Sequence, residues 1–181
     1  IPCSSSILEI GSGTGSVGKY LLDTGYNNIT LSDVHVNGLE YAKKLGIIRL
    51  YQFDLFNAPF SEEFDVINMF DVLEHLNNDS EALECAHGIL KKNGKICLTV
   101  PAHQWLWSKD DARACHKRRY TINSLKKVVA QSGFRITYCR YIFTSILPLL
   151  WLRKFIDPDD NEPIDRKKLT PSLSINPVIN W

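Results

Sequence analysis

Short apolar runs alternate with amphipathic stretches along most of the chain. The runs are roughly four to eight residues long, rich in β-branched and aromatic side chains, and bounded by turn-forming residues, which is typical of strands. Between them, apolar side chains recur at helical spacing, which predicts helices with one buried face. The predicted strands cover 7–10, 28–33, 47–53, 64–70, 95–100 and 135–142. The predicted helices cover 16–22, 36–45, 79–92 and 121–131.

The alternation of strands and helices predicts the fold class. A strand–helix–strand rhythm with right-handed crossovers gives an α/β fold, a doubly wound and mostly parallel sheet with helices on both faces. Pro101 ends the fifth strand, as expected where the ladder must stop. Ligands in such sheets bind at the carboxyl ends of the strands. We therefore expect the polar residues that follow the strands to form the functional site.

The turn after the first strand is a glycine loop, with Gly11, Gly13 and Gly15 at alternate positions. Glycine accepts positive φ and lets the main chain approach a ligand closely. Read from Gly13, the loop matches the dinucleotide fingerprint, with Asp33 near the expected distance, but Gly11 then falls inside the strand. Read from Gly11, the strand ends cleanly and Glu9 stands just ahead of the loop. Both registers stay open on this stretch alone.

The second register resembles motif I of the class I S-adenosylmethionine-dependent methyltransferases. Further stretches at 33–42, 64–67, 72–76 and 90–95 resemble later signatures of that family in the same order. The resemblance runs from residue 7 to about 142 and implies a Rossmann-like methyltransferase fold with S-adenosyl-L-methionine as cofactor. It also leads us to expect that the chain lacks part of the family's N-terminal region and its seventh, antiparallel strand.

The resemblance assigns contacts to the cofactor. It implies that Glu9 faces the ammonium group and that Asp33 holds the ribose hydroxyls. Asp54 receives the adenine amino group, between Phe53 and Leu55. Two alternatives stay open, because aspartate also suits a helix cap and aromatic residues are common in cores. The complete predicted cofactor set is Glu9, Gly11, Gly13, Gly15, Asp33, Phe53, Asp54, Leu55 and Phe70.

The residues after the fourth and fifth strands are the candidates for the chemistry. Methyl transfer from a sulfonium is an in-line displacement, so the protein mainly aligns donor and acceptor. A base is needed only when the acceptor is a hydroxyl or another protonated nucleophile. The predicted catalytic residues are Asp71, His75 and His116.

The same region offers an optional metal site. Asp71, Glu74 and His75 are spaced i, i+3, i+4, which places three potential ligands on one side of a helical turn. A similar pattern with a later histidine, here His116, occurs in the small-RNA 3′-end 2′-O-methyltransferases, where it binds a metal that activates a hydroxyl. The resemblance implies a divalent cation, and the alternative is that Glu74 and His75 only cap and pack the turn.

The polar, irregular stretch after the fifth strand predicts a lid, residues 103–120, over the carboxyl edge of the sheet. Its pattern resembles an Asp then His-x-Arg-Arg-Tyr signature of a bacterial and archaeal subgroup often associated with polysaccharide or glycolipid assembly, with Cys115 where a glycine is usual. The two arginines either clamp an acidic group of the acceptor or pair with Asp110 and Asp111 to hold the lid shut. The predicted substrate and lid residues are His103, Arg118, Arg119 and Tyr120.

Composition narrows the class of partner. The 181 residues fit one domain, and 21 Lys and Arg against 20 Asp and Glu give a net charge of +1, so no nucleic-acid partner is expected. The five cysteines are odd in number and form no Cys-x-x-Cys pair, which indicates reduced thiols. With no signal peptide and no apolar run of spanning length, we expect a cytoplasmic protein.

We divide the chain into a cofactor-binding core, 1–142, and a second part, 143–181, made of an apolar helix and an extended C-terminal arm. Residues 141–156 are apolar, but Pro148 interrupts them and they are too short to span a bilayer. They either lie peripherally at the inner face of a membrane, or cap the active site or pack against a neighbour, as in a homodimer.

The sequence therefore predicts S-adenosylmethionine-dependent methyl transfer to an oxygen or nitrogen of a small-molecule or lipid-linked saccharide acceptor. Two alternatives remain. A nicotinamide-dependent oxidoreductase is disfavoured by the glycine register and by the lack of a convincing Tyr-x-x-x-Lys pair. A non-catalytic module that only binds S-adenosylmethionine is the second.

Overall fold

The computed structural model describes residues 1–156 and 179–180. The strands are β1 (Ile7–Ile10), β2 (Ile29–Asp33), β3 (Leu50–Gln52), β4 (Phe64–Phe70), β5 (Leu90–Thr99) and β6 (Ile179–Asn180). The α-helices are α1 (Ser16–Asp23), α2 (Val36–Lys44), α3 (Asp79–Ile89), α4 (Lys109–Arg113), α5 (Ile122–Gln131) and α6 (Leu147–Ile156). Single 3₁₀ turns lie at Leu55–Asn57, Leu73–His75, Gln104–Leu106 and Thr144–Ile146.

The first five strands form a parallel sheet in the order β5-β4-β1-β2-β3, and β6 adds to β3 in the antiparallel sense. The central strand is β1, where Ile7 lies between Ile29 of β2 and Val66 of β4. The strand order reverses between β1 and β4, so a crevice opens beyond the carboxyl end of β1. The predicted α/β, mostly parallel sheet is confirmed.

The two faces of the sheet are covered by separate groups of apolar side chains. Leu8 and Ile10 of β1 belong to the larger core, which also buries residues of α3 and α5. Ile29 and Leu31 of β2 belong to a smaller core with Leu39 of α2. Because neighbouring residues of a strand point to opposite faces and Ile7 is paired with Ile29, the two cores lie on opposite sides of the sheet.

Several predicted boundaries differ from the structure, most of all between α3 and β5, since β5 was predicted over 95–100 and is Leu90–Thr99. The helix predicted over 79–92 ends at Ile89, because the chain turns directly into β5, where Leu90 pairs with Phe64. The pairing is then interrupted and resumes at Lys95 opposite Val66. The strand predicted over 47–53 is shorter, Leu50–Gln52.

The strand predicted over 135–142 is wrong. Ile136 packs against the larger core, but the segment has no regular structure and pairs with no strand in the described part of the chain. Its β-branched and aromatic residues favour a strand, yet a strand forms only where a neighbour accepts and donates its main-chain hydrogen bonds.

The second part of the chain is described only in part. Helix α6 occupies the apolar run, while the predicted extended arm lies largely outside the described residues. The described antiparallel pairing, between β6 and β3, lies at the β3 edge of the sheet. Within the described residues, no helix is long and apolar enough to cross a bilayer.

Candidate active site

The glycine loop follows β1 at the point where the strand order reverses. Gly11, Gly13 and Gly15 all have positive φ, at 69°, 52° and 79°. A Cβ on Gly11 would lie 2.5 Å from Val72 Cγ2, and one on Gly15 would lie 2.7 Å from Ala42 Cβ, so packing excludes a side chain at both. Gly13 instead faces open space, with no atom within 4 Å of its Cβ position. A ligand can therefore approach the main chain at Gly13.

Asp33, the last residue of β2, is tied to this loop. Its Oδ2 accepts a hydrogen bond from the Gly13 N–H at 2.8 Å, and its Oδ1 accepts one from the His35 N–H at 2.8 Å. The carboxylate therefore fixes the turn between β2 and α2 and also lies beside the glycine loop. Because the Gly13 N–H already donates to the Asp33 carboxylate, a pyrophosphate at this N–H would be repelled by the carboxylate charge. This supports the register that starts at Gly11.

Glu9 is buried two residues before the loop, with 4% of its surface exposed. Burial raises its pKa to about 7, and a hydrogen bond from the Gly18 main-chain N–H offsets part of this effect. Its Oε2 has no hydrogen-bond partner among the described residues. A nearby cation would stabilise the ionised form of such a buried, partly unpartnered carboxyl group.

The predicted adenine residues follow β3. Asp54 accepts a hydrogen bond from the Phe56 N–H at 3.1 Å and so begins the 3₁₀ turn. Phe53 and Leu55 are buried in the larger core, where Phe53 meets the ring of Phe60 edge to face. The side chains on either side of Asp54 thus serve the core, as the alternative interpretation expects.

Two residues at the carboxyl edge have a left-handed main chain without being glycine. Asp71 follows the half-buried Phe70 and has φ 53°, and Thr99 Oγ1 donates a hydrogen bond to its Oδ1 at 3.0 Å. His103 has φ 61°, and its ring lies 4.6 Å from that of Tyr141. Non-glycine residues in this conformation are strained, and such strain is concentrated at functional sites.

The lid is organised around Asp111, which is 1% exposed. Arg119 donates to both carboxylate oxygens, from Nε at 2.7 Å and from Nη2 at 2.8 Å. The His116 Nδ1 lies 2.8 Å from Oδ1, and the Ser108 N–H donates to Oδ2 at 2.8 Å. Burial acts to raise the pKa of Asp111, but these hydrogen bonds outweigh it and lower the pKa to about 2. Arg119 thus holds the lid together, as one of the two interpretations expects.

Arg118 contacts the start of α3. One of the two expectations was that the lid arginines pair with Asp110 and Asp111, but the described contacts of Arg118 are with other residues. Its guanidinium donates to the main-chain carbonyls of Leu76 and Asn77, and it pairs with Asp79 at 3.0 Å. Asp110 pairs with Arg113 at 3.3 Å instead. Of the two arginines, only Arg119 therefore pairs with a lid aspartate among the described residues, whereas Arg118 is held at the start of α3.

Tyr120 closes the same network. Its hydroxyl donates to Asp79 Oδ2 at 2.9 Å, and the ring is buried. Burial and the neighbouring carboxylate raise the pKa of Tyr120 well above its usual range. Since Arg118, Arg119 and Tyr120 all bind protein groups here, their first role in this structure is to fix the lid on the core.

Glu74, His75 and His116 lie together where the lid meets the 3₁₀ turn after β4. The ring centroids of the two histidines are 4.8 Å apart, and His116 Nε2 lies 4.0 Å from Glu74 Oε1. Burial raises the pKa of Glu74 to about 7, with the Asp71 charge adding to the effect. Burial, followed by the neighbouring His116, lowers the pKa of His75.

Sequence reasoning missed two residues that support the site. Thr99 holds Asp71, and the parallel pairing of Phe70 with Thr99 is the signal that could have placed it there. Asp79 holds both Arg118 and Tyr120, and nothing in the local sequence indicates these partners. Cys115, where the resembling subgroup has glycine, has φ 59°, a conformation that favours glycine.

A five-stranded parallel sheet in this order, with a glycine loop and acidic residues at its carboxyl edge, has the architecture of the class I S-adenosylmethionine-dependent methyltransferases. Residues 2–138 match the family model described as "Methyltransferase domain", and the chain belongs to that family. S-adenosylmethionine is the cofactor of this class. The subgroup suggested by the His-x-Arg-Arg-Tyr motif stays a prediction.

Solved structures show the same fold at low sequence identity. An S-adenosylmethionine-dependent methyltransferase from Mesorhizobium loti is 18% identical, with a TM-score of 0.65 over 87% of this chain and 89% of that one. The YcgJ protein from Bacillus subtilis is 16% identical, with a TM-score of 0.64 over 92% and 75%.

A third similar chain comes from a complex between the Haloferax volcanii Trm112 methyltransferase activator and a methyltransferase. It is 15% identical, with a TM-score of 0.64. The match covers 72% of this chain but only 61% of the length of the other one. No curated protein matches the chain by sequence.

Proposed function

We propose that the chain binds S-adenosylmethionine at the glycine loop and transfers its methyl group to an oxygen or nitrogen of a small-molecule or lipid-linked saccharide acceptor. The observation that supports this most directly is the open main chain at Gly13, flanked by Asp33, at the switch point of a methyltransferase-family sheet. Glycine loops of this kind let a ligand approach the backbone closely.

The cofactor roles follow the chemistry of each side chain. Glu9 has a raised pKa and an unpartnered oxygen within the described residues, which suits the ammonium group of the methionine part. Asp33 already accepts two N–H groups, and an ionised carboxylate has about four acceptor sites, so it can also accept ribose hydroxyls. Asp54, at the start of the 3₁₀ turn after β3, takes the adenine amino group, and Phe70 at the end of β4 contributes apolar surface to the same edge of the sheet.

The acceptor side is formed by the carboxyl edge and the lid. The Asp71 carboxylate and the rings of His103, Trp105 and Tyr141 offer polar and aromatic surface there. Helix α6 contacts the lid turn at Gln104–Leu106. The side chains of Leu149, Trp151 and Leu152 on α6 are about half exposed or more, which supports an apolar or lipid-linked acceptor at a membrane surface.

Catalysis then depends mainly on alignment, as expected for an in-line displacement. Asp71 orients the acceptor, because its strained main chain and the Thr99 hydrogen bond fix its carboxylate at the edge of the sheet. In the metal-free site, His75 and His116 act on the acceptor's proton when the acceptor is a hydroxyl.

A glycine pair tests the cofactor site. Gly13→Ala places a methyl group in the open space where the proposed ligand would lie. Gly46→Ala is the matched control, because Gly46, after the end of α2, also has a positive φ and open space around its Cβ position. Both variants carry a backbone cost of about 1–2 kcal/mol. We expect titration calorimetry to show at least a tenfold weaker affinity for S-adenosylmethionine in G13A only, which is a loss of about 1.4 kcal/mol.

The same titrations separate the rival functions. Binding of NAD in preference to S-adenosylmethionine by the wild-type chain would contradict the proposal. Transfer of labelled methyl groups to a lipid or small-molecule extract is expected in addition to binding. Tight binding without any transfer would identify a module that binds the cofactor without catalysis.

A further inference from the structure

We propose that Glu74, His75 and His116 bind a divalent transition-metal ion that joins the lid to the core of the protein. One ligand atom from each of these side chains lies within 4.8 Å of the other two. Glu74 and His75 belong to the 3₁₀ turn after β4, whereas His116 belongs to the lid. A metal held by all three therefore connects two parts of the structure that are distant in sequence.

The strongest support comes from Glu74. Its side chain is 0% exposed, and neither carboxylate oxygen has a hydrogen-bond partner in any other described residue. Among the described residues, only two other buried side-chain oxygens lack a hydrogen-bond partner, Glu9 Oε2 and Ser12 Oγ. A buried carboxylate without partners is costly, and coordination of a metal is one of the few ways to compensate it. Glu74 Oε1 faces His116 Nε2 at 4.0 Å.

The orientation of His116 supports the same site. Its Nδ1 lies 2.8 Å from Asp111, while Nε2 is the atom that faces Glu74. Arg119 donates to both oxygens of Asp111, so this carboxylate stays ionised and accepts the Nδ1–H. Metal-binding histidines typically donate their second ring N–H to a carboxylate in this way, which fixes the ring and the free nitrogen.

The donor set indicates the kind of metal. Two imidazoles and one carboxylate suit Zn²⁺, Co²⁺ or Mn²⁺ better than Mg²⁺, which prefers oxygen ligands. Asp71 is not among the three side chains whose ligand atoms converge, and its Oδ1 accepts a hydrogen bond from Thr99. The structure thus replaces the four-residue set expected from the sequence with a set of three.

The distances also predict a movement. Ligand atoms around a tetrahedral ion with bonds of about 2.0–2.1 Å are about 3.4 Å apart. The observed Nε2 to Oε1 distance of 4.0 Å is longer, and the three ligand atoms lie within 4.8 Å of one another, so binding shortens the distances between them by up to about 1.4 Å and draws the lid toward the core. A three-ligand site keeps a further coordination position open. Use of that position to activate an acceptor hydroxyl rests on the proposed methyl transfer, but metal binding itself does not.

Cobalt titration of the metal-stripped full chain tests the site. We expect a single Co²⁺ per chain, visible d–d absorption, and displacement by Zn²⁺. Glu74→Gln and His116→Ala are each expected to weaken Co²⁺ binding at least about 100-fold. Glu84→Gln and His87→Ala, which change an exposed glutamate and an exposed histidine of α3, are expected to bind Co²⁺ as the wild-type chain does.

Folding is checked in the same samples. Glu74→Gln removes a buried charge, so E74Q is expected to melt at or above the temperature of the metal-free wild type. Asp111→Asn leaves all three ligands in place and is expected to weaken Co²⁺ binding about 10- to 100-fold and to shift the d–d bands, since it changes the partner of a ligand.

Two results would overturn the metal site. One is unchanged Co²⁺ affinity in a folded E74Q variant. The other is a thiolate charge-transfer band that disappears in Cys115→Ser, which would assign the cobalt to the exposed thiol beside His116. S-adenosylmethionine calorimetry on the metal-stripped chain keeps the two proposals separate, because the cofactor loop lies outside the metal ligands.

Discussion

Glu9 and Glu74 are buried to a similar degree, and burial raises the pKa of both to about 7. Their surroundings differ. Glu9 receives the Gly18 N–H at the start of α1, where the helix contributes partial positive charge. Glu74 faces two imidazoles and has no hydrogen-bond partner among the described residues. We infer that a single ammonium group completes the surroundings of Glu9, whereas Glu74 requires a stronger cation.

Asp111 shows what a buried carboxylate looks like when the protein itself supplies the partners. It is as buried as Glu74, yet hydrogen bonds from Arg119, His116 and Ser108 overcome burial and lower its pKa to about 2. Burial alone therefore does not set the charge of these acids. Two of them depend on a ligand for compensation, and the third is compensated within the lid.

The largest effect on stability is expected from removing Asp111, the buried carboxylate whose partners the protein itself supplies. Asp111→Ala leaves Arg119 and His116 without their partner and is expected to lower the free energy of unfolding by about 3–5 kcal/mol. Asp110→Ala, in an exposed pair with Arg113, is expected to cost about 0–1 kcal/mol. Urea denaturation of the two variants measures the difference. Equal losses would mean that Asp111 is not the centre of the lid.

A smaller effect is expected from Glu9 as a function of pH. The pKa of Glu9 is about 7 in the folded protein against an ordinary 4.5, so the unfolded chain loses its proton first as the pH rises. Glu9 therefore lowers the free energy of unfolding by up to about 3 kcal/mol as the pH rises from about 4.5 to about 7. Glu9→Gln removes this cost, so E9Q is expected to exceed the wild type in stability at pH 8 and to match it near pH 4.5.

Thermal melts of the wild type and E9Q across this range isolate Glu9 from the other titrating groups. Glu40→Gln, on the exposed side of α2, is the matched control and is expected to follow the wild type. S-adenosylmethionine is expected to stabilise the wild type more than E9Q at pH 8. A wild-type curve parallel to that of E9Q would show that folding does not shift the pKa of Glu9.

The smallest effect concerns the strained edge residue. Thr99→Val keeps the shape of the side chain but removes its hydrogen bond to Asp71, at a stability cost of about 1 kcal/mol. We expect a several-fold lower rate of methyl transfer with an unchanged affinity for S-adenosylmethionine. Thr137→Val changes an exposed threonine far along the chain and serves as the control. Full activity in T99V would remove Asp71 from the alignment of the acceptor.

The sequence was sufficient for the parts of the fold that local patterns determine. β4 was predicted with both ends correct, because a strand buried on both faces is nearly continuously apolar, here interrupted only by Asp65 and Asn68. The segment 135–142 was assigned wrongly for the opposite reason, since its composition favours a strand but pairing is decided by a neighbour. The helix expected to reach residue 92 ended earlier because Leu90 found a partner in β4.

The candidate site was predictable in its members but not in its pairings. The lid motif contains two aspartates and two arginines, and only the structure shows that Arg119 takes Asp111 while Arg118 takes Asp79 from another helix. The spacing of Glu74 and His75 was visible in the sequence, but the complete burial of Glu74 is a property of the packed lid. Long-range contacts of this kind leave no local signal.

The lid is also tied at its base, since the His103 N–H donates to the Tyr120 carbonyl and the Tyr120 N–H donates to the Pro101 carbonyl. An Ω-shaped loop closed in this way is anchored independently of what lies at its tip. Insertions or exchanges between these two anchors that spare Asp111, His116 and the two arginines are expected to leave the sheet and the cofactor loop in place. Under the proposed function, changes of this kind would alter the choice of acceptor while the methyl donor stays the same.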